Sequence, residues 1–433
     1  MRRVLIITYY WPPSGGAGVQ RWLKFVKYLR NFGWEPIVYT PENPEAPAID
    51  NSLLKDIPEN LAVIKTKIWE PYSLYKSFIG QKKNEKINAG FLSEKKKPGL
   101  TEKISVWIRG NWFIPDARKF WIRPSVQFLS EYLKKNPIDA MISTGPPHSM
   151  HLIALGLKNK FNIPWLADFR DPWTNIDFYD KLLLTKSSDA KHKKLELEVL
   201  KNADTIVTVS WNWAKDFQKI LNRGIEVITN GFDEDDFHFN HLKLDDKFSI
   251  SHIGAMNKDR NPHLFWKALS ELLRENDLLK KDLKIHLIGK NDFSVLQSIE
   301  ENDLISYLQK TEYLPHNEVL RQICTSQILL LPLNDTPNTL GIIPGKIFEY
   351  LAAKRPIFAI GSEEGDSAKI IQEAKAGVIC DFKNKEKMKK EIMKMYSLYK
   401  EEKLQVEAAD TRKYSRKNKT AEMAVLLDSL LKK

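Results

Sequence analysis

Short apolar runs rich in β-branched residues alternate with amphipathic stretches along nearly the whole chain. Residues 4–8 form one such run; Val19, Leu23, Val26 and Leu29 follow at the spacing of one helix face, and residues 36–40 form the next run. That order predicts a β-α-β unit. Further runs at 139–144, 164–167, 205–209 and 226–229 continue it with helical segments between, as a parallel sheet covered on both faces requires. A second series begins at 248–253 and continues through 284–288, 328–331, 356–360 and 377–380. Between the two series, residues 230–246 hold Gly231, five Asp and one Glu and read as an interdomain linker. The chain closes on two helical patterns, Met388, Ile392, Met395 and Tyr399, then Met423, Leu426, Leu427 and Leu430.

These patterns divide the chain into a first domain at 1–229, the linker, a second domain at 247–410 and a C-terminal helix in 411–433 that crosses back onto the first domain. A length of 433 residues fits two domains better than one core. Residues 76–123 break the alternation and read as an insertion. The apolar runs are far shorter than the roughly 20 residues a bilayer-spanning helix needs. The start reads as a strand and not as a secretory signal. Two cysteines, Cys324 and Cys380, make no disulfide framework and no thiolate metal cluster, which fits a cytoplasmic setting.

Charge changes the picture locally. The net charge of +12 resides in two segments, 76–103 with eight Lys against three Glu and 383–433 with fifteen basic against eight acidic residues. Without a zinc finger, RRM or helix-turn-helix signature the excess does not point to nucleic acid; anionic substrates or an anionic membrane surface suit two local patches. The first patch adjoins Trp107, Trp112, Phe113 and Trp121. Aromatic rings beside cations suit a lipid interface, and equally the packing of an inserted helix on the core.

Three segments carry candidate chemistry. Ser14-Gly15-Gly16-Ala17-Gly18 lies between the first strand and first helix, where Gly15 and Gly16 admit close backbone approach to a phosphate or substrate, or simply make a tight turn. It is neither a Walker loop nor a complete dinucleotide fingerprint. Pro344-Gly345-Lys346-Ile347-Phe348-Glu349-Tyr350 opens a helix that sets a cation and a carboxylate three residues apart, fit for a diphosphate and a ribose diol or for an ordinary surface ion pair. Asp168-Phe169-Arg170-Asp171-Pro172-Trp173 follows a strand end, where open α/β sheets place ligands; it reads as substrate handling or as a turn with one ion pair. Asp233, Asp235 and Asp236 read as a solvated turn with a helix cap, and His148 with His151 lacks the partners of a metal motif. No metal and no cofactor is assigned.

Tyr9-Tyr10-Trp11-Pro12-Pro13 with Gly15-Gly16, Asn230-Gly231-Phe232-Asp233, and the block from Gly345 through Ala353 together resemble the family-4 retaining glycosyltransferases. The resemblance runs from about residue 4 to 430 and implies an α/β GT-B fold, two Rossmann-like domains facing a central cleft. It implies a UDP- or GDP-sugar held by the second domain and a glycan or lipid-linked acceptor held by the first. Glu349 matches the carboxylate that holds the donor ribose; Gly254 passes near the diphosphate, which Arg260 and Lys346 neutralise. The usual Glu-x7-Glu pattern is broken, because Gly341 stands eight residues before Glu349; Asn338-Thr339-Leu340-Gly341 is left to meet the donor sugar through backbone N–H groups or the Asn338 amide. Arg170 and Asp171 resemble a subset with Arg-Asp-x-Trp by the reacting carbon, which makes Asp171, with Arg170, the catalytic candidates. The activity implied is metal-independent hexosyl transfer for the cell envelope, in the cytoplasm or at the inner membrane face. A nucleotide-sugar epimerase or hydrolase, and a non-catalytic sugar-binding homologue, are the alternatives.

Overall fold

The computed structural model describes residues 1–45, 49–70, 100–239, 242–312, 314–406 and 410–432. The chain divides into two compact units, one comprising the segments up to Asn230 together with Arg416–Lys433, the other containing Gly231–Ser415.

In the first unit the described strands are β1 (Arg2–Ile7), β2 (Trp34–Pro41), β3 (Ala62–Thr66), β4 (Ala140–Gly145), β5 (Trp165–Phe169), β6 (Thr205–Thr208) and β7 (Glu226–Val227). They form one parallel sheet in the order β3-β2-β1-β4-β5-β6-β7. Successive side chains of a strand point to opposite faces, so a strand covered on both sides must be apolar throughout. β1 shows this directly: Leu5 and Ile7 enter one core, Val4 and Ile6 the other, and all four are fully buried. The Val4 face packs on Val19, Trp22, Leu23 and Val26 of the helix Ala17–Leu29, and on Met423, Leu427 and Leu430 of the helix Arg416–Leu430.

The second unit repeats the plan with β8 (Phe248–Ile253), β9 (Leu283–Ile288), β10 (Leu308–Thr311), β11 (Ile328–Pro332), β12 (Ile357–Ile360) and β13 (Gly377–Cys380), again all parallel, in the order β10-β9-β8-β11-β12-β13. Two strands, β3 and β10, are absent from the sequence reading. Both are sheet edges with half-exposed, polar-containing sequences, Ala-Val-Ile-Lys-Thr and Leu-Gln-Lys-Thr, so neither shows the continuous apolar run that marks an interior strand.

Of the expected insertion, residues 71–99 lie outside the described residues. Beyond them the chain forms two helices, Leu100–Trp112 and Lys119–Lys135. Trp121 is core, 1% exposed, stacked on Tyr39 at 4.9 Å with its indole N–H given to Thr66 Oγ1 at 3.0 Å. Trp107 and Trp112 are surface residues.

In both sheets the strand order reverses once, at β1/β4 and at β8/β11. The backbone leaving the carboxyl ends of strands at such a point diverges and opens a crevice for ligands. All three chemistry-bearing segments leave strands at or next to these two points.

Candidate functional site

In the first unit the chain leaves β1 through Tyr9-Tyr10-Trp11 and turns at the glycines. Gly16 stands at φ 100°, a left-handed conformation that a side chain would strain, and precedes the helix Ala17–Leu29 with no side-chain cap. Gly15 is buried and Gly16 exposed. Gly18 is also required to be small, since a Cβ there would lie 2.9 Å from Arg170 Nη1 and 3.1 Å from Tyr10 Cδ2.

Asp168 lies within β5, one residue before its end, with no exposure at all. It accepts hydrogen bonds from Arg21 Nη2 at 2.9 Å and Nε at 3.2 Å, from the Trp22 indole at 2.7 Å and from Thr144 Oγ1 at 3.0 Å. Burial alone would raise its pKa; the Arg21 charge, with the hydrogen bonds from Arg21 and Trp22, outweighs burial and leaves it below the ordinary aspartate value. Arg21 also donates to Thr229 O at 3.1 Å and Asn230 Oδ1 at 3.3 Å. Asp168 is therefore a structural anchor. Arg170 is turned inward as well: its guanidinium donates to the carbonyls of Gly18 (2.8 Å), Gly145 (3.4 Å) and Pro146, and its backbone N–H reaches Gly145 O at 3.1 Å. It braces the glycine loop against the β4 turn.

Asp171 is the partly exposed carboxylate of this segment. Its pKa is raised: burial, with the charges of Asp177 and Asp168, outweighs the attraction of Arg170. A carboxylate with raised proton affinity and partial access suits proton transfer or stabilisation of a developing cation.

The turn after Asp171 is pinned from both sides. Trp173 stacks on His148 with centroids 4.5 Å apart and planes 3° from parallel, and gives its indole N–H to His192 Nδ1 at 3.0 Å. Thr174 donates to Glu196 from its backbone at 3.3 Å and its hydroxyl at 2.5 Å. His151 stacks on Phe169 at 4.4 Å and meets Ser143 Oγ at 2.8 Å. Burial, together with neighbouring positive charge from Arg170, keeps His148 well below the ordinary histidine value and His151 at about 3, so both rings are neutral packing elements. His192, Glu196 and Thr144 escape the sequence reading because their partners lie about 20 residues away. Arg21 escapes it too: it follows the glycine loop by three residues in a helix that also carries Gln20, Lys24 and Lys27, so the sequence does not set it apart.

In the second unit β8 runs into Gly254 at φ 103°. A Cβ there would stand 2.8 Å from Lys346 Nζ, so only glycine lets the ammonium reach Ile253 O at 2.5 Å. Burial first, then the Arg260 charge, pull Lys346 well below the ordinary lysine value, while Glu349 pulls it back. Arg260 and Glu349 thus both act on Lys346, whose amine stands at the end of β8. Arg260 is aimed by Asn334 Oδ1 at 3.0 Å and Ala255 O at 3.0 Å, and the Tyr350 hydroxyl accepts the Ile253 N–H at 3.3 Å. Asn334 and Tyr350 were not singled out from the sequence.

Pro344 and Gly345 open the helix Lys346–Ala352, and their carbonyls take the N–H groups of Ile347 and Phe348 at 3.0 and 3.2 Å. The 3-10 turn Thr339–Gly341 is also self-satisfied in part: Thr339 N–H goes to Thr336 O and Gly341 N–H to Asn338 O, at 3.0 and 3.1 Å. The side-chain oxygen of Asn338 accepts from Thr336 Oγ1 at 2.9 Å, and Leu340 is exposed. Two of the N–H groups expected to meet a sugar are therefore spent within the loop. Asp233 caps its turn through the Asp235 N–H at 3.3 Å, yet is 3% exposed and not solvated.

Residues 233–413 match the family model described as Glycosyl transferases group 1. Among solved structures the chain is similar to sucrose-phosphate synthase from Thermosynechococcus elongatus, at 11% identity and TM-score 0.59 over 100% of this chain and 96% of that one. It is similar to HepE from Anabaena in complex with UDP-glucose, at 10% identity and TM-score 0.58 over 100% and 98%. The same holds for WaaG, a glycosyltransferase involved in lipopolysaccharide biosynthesis, at 12% identity and TM-score 0.55 over 99% and 97%. At such identities the likeness shows the fold, a GT-B pair of Rossmann-like units. A search of the curated proteins by sequence finds no match.

Proposed function

We propose that the chain is a retaining, metal-independent glycosyltransferase that moves a hexose from a UDP- or GDP-sugar to a cell-surface glycan or a lipid-linked acceptor, working in the cytoplasm at the inner membrane face. The observation that carries this reading is the group at the end of β8, where Gly254 at φ 103° admits Lys346 and the charges of Arg260 and Glu349 act on it. It lies within the segment that matches the group 1 model. HepE, with the same fold, is solved with UDP-glucose.

A diphosphate leaving group gains negative charge as the bond from the anomeric carbon to its oxygen breaks. Lys346 and Arg260 are suited to neutralise that charge, and Glu349 to accept two hydrogen bonds from a ribose diol. The acceptor oxygen bonds to the anomeric carbon on the face the diphosphate leaves, and its proton passes to the departing phosphate oxygen. Asp171 is assigned to the acceptor side, as the carboxylate that steadies the reacting centre, with Arg170 positioning it.

The test is UDP and GDP release from a panel of nucleotide sugars, with and without acceptor glycans, in excess EDTA. Release that requires acceptor supports transfer. Loss of activity on chelation, restored by manganese, would overturn the metal-independent assignment. A putative UDP-N-acetylglucosamine 2-epimerase from Listeria monocytogenes shares the fold at TM-score 0.55, so an epimerase or hydrolase is the second reading; acceptor-independent turnover would favour it.

A further inference from the structure

Among the described residues three tryptophans are exposed, Trp69 at 55%, Trp107 at 39% and Trp112 at 66%, and all belong to the first unit. They are linked through one another's neighbours. Trp69 meets Phe120 edge-on at 4.8 Å, and Phe120 meets Phe113 at 6.3 Å. The Lys119 ammonium sits over both phenyl rings, 5.0 Å from Phe120 and 5.4 Å from Phe113, and donates to the carbonyl of Trp112. Trp107 lies just over a turn back on the same helix as Trp112, beside exposed Ile104. Asn111 ties that helix to Leu183 O at 3.1 Å, and Leu183 is exposed too.

Lys191 is exposed and acts on Lys119, whose ammonium is held below the ordinary lysine value by partial burial and by that neighbouring charge. Two carboxylates beside these rings in sequence are spent inward: Glu70 on Arg118 at 3.0 Å and on the Tyr9 hydroxyl, Asp116 on the backbone and hydroxyl of Ser149. Trp121 shows that a tryptophan of this segment can be packed away. Apolar rings with a polar edge, interleaved with cations, match the headgroup layer of an anionic bilayer, where rings enter the acyl boundary and ammonium groups meet phosphate.

We propose that the face bearing Trp69, Trp107, Trp112, Phe120 and Lys119 docks on the surface of an anionic lipid bilayer. This names the attachment surface for the proposed membrane location and is independent of the transfer reaction. The experiment is co-sedimentation of the full chain with phosphatidylcholine vesicles with and without phosphatidylglycerol, at low and high salt. Partition should rise at least about tenfold with phosphatidylglycerol at low salt and fall with added salt. Trp107→Ser combined with Trp112→Ser should lower it about tenfold or more, and Lys191→Glu at least about fivefold. Leu278→Ser, an equally exposed apolar position in the second unit, should leave it unchanged. Unaltered thermal unfolding of each variant confirms that folding is not what changed. Wild-type protein that ignores anionic vesicles overturns membrane attachment altogether. Wild-type binding that survives the double tryptophan variant overturns this face as its site. Concentration-dependent self-association abolished by the same variant assigns the face to a second copy and equally overturns the proposal. UDP release separates any of these from a failure of the transfer reading.

Discussion

Arg21 and Asp168 form a two-pronged ion pair at 2.9 and 3.2 Å with side-chain exposures of 1% and 0%, and through it the helix after the glycine loop grips the end of β5. Asp171 stands three residues on. The same guanidinium reaches Thr229 O and Asn230 Oδ1, so one side chain ties together three segments that are distant in sequence.

Removing one partner of a buried pair strands the other charge, a loss of about 3–5 kcal/mol. Arg21→Met should therefore destabilise the first unit by that order, read by denaturant unfolding. The pH dependence has a definite sign. Asp168 is lowered in the native state, so its contribution is complete above the unfolded aspartate value and is lost as pH falls through the lowered native value. In wild-type protein the acid limb of stability should carry this term. In Arg21→Met it should be absent or reversed, and an unchanged limb would remove Asp168 from its anchoring role.

Asp171→Asn should lower turnover at least about tenfold with little change in donor affinity. Since the native pKa of Asp171 is raised, activity that needs the carboxylate should climb with pH through a value above the ordinary aspartate range, and this limb should vanish in Asn. Wild-type turnover in the variant would reduce the segment to a packing role.

Glu349→Ala should weaken donor binding by about 1.5–3 kcal/mol, because hydrogen bonds to a charged acceptor are lost. Isothermal calorimetry with UDP- and GDP-sugars measures it, and undiminished affinity would reject the ribose assignment.

Burial first, then the Arg260 charge, hold the pKa of Lys346 well below the ordinary lysine value in the free site. An arriving diphosphate favours its ammonium form, so binding should take up a proton, and affinity should fall as pH rises from the resting value to the bound one. Calorimetry in buffers of different ionisation enthalpy reads the uptake directly. It should disappear in Lys346→Met; buffer-independent heats in the wild type would refute the coupling.

Gly254→Ala should cost donor binding more than stability. Its φ of 103° is strained for any side chain, and the added Cβ would meet Lys346 Nζ at 2.8 Å, pushing the ammonium off Ile253 O. Equal losses of unfolding midpoint and donor affinity would mark the glycine as a folding requirement alone.

The two sheets were legible because their interior strands, such as β1 and β8, are apolar on both faces, a pattern local enough to read along the chain. β3 and β10 were not, because an edge strand buries little and carries Lys and Gln like a loop. Glycines at 16 and 254 were legible as loops. The reason for Gly254, an ammonium from a helix about 90 residues later, was not.

By itself the sequence determined two parallel α/β units, the strand ends at which chemistry would gather, and the residues Lys346, Glu349 and Asp171 as its candidates. The tertiary structure alone decided what each charge faces. In Asp168-Phe169-Arg170-Asp171 it turned two of three charged groups inward, Asp168 onto Arg21 and Arg170 onto three carbonyls, and left Asp171 partly open. Among the tryptophans it buried Trp121 and left Trp112 in water. Periodicity is set by neighbours in the chain and survives in a string of letters. Burial, pairing and proton affinity are set by neighbours in space, brought together from tens to hundreds of residues apart only when the sheets close.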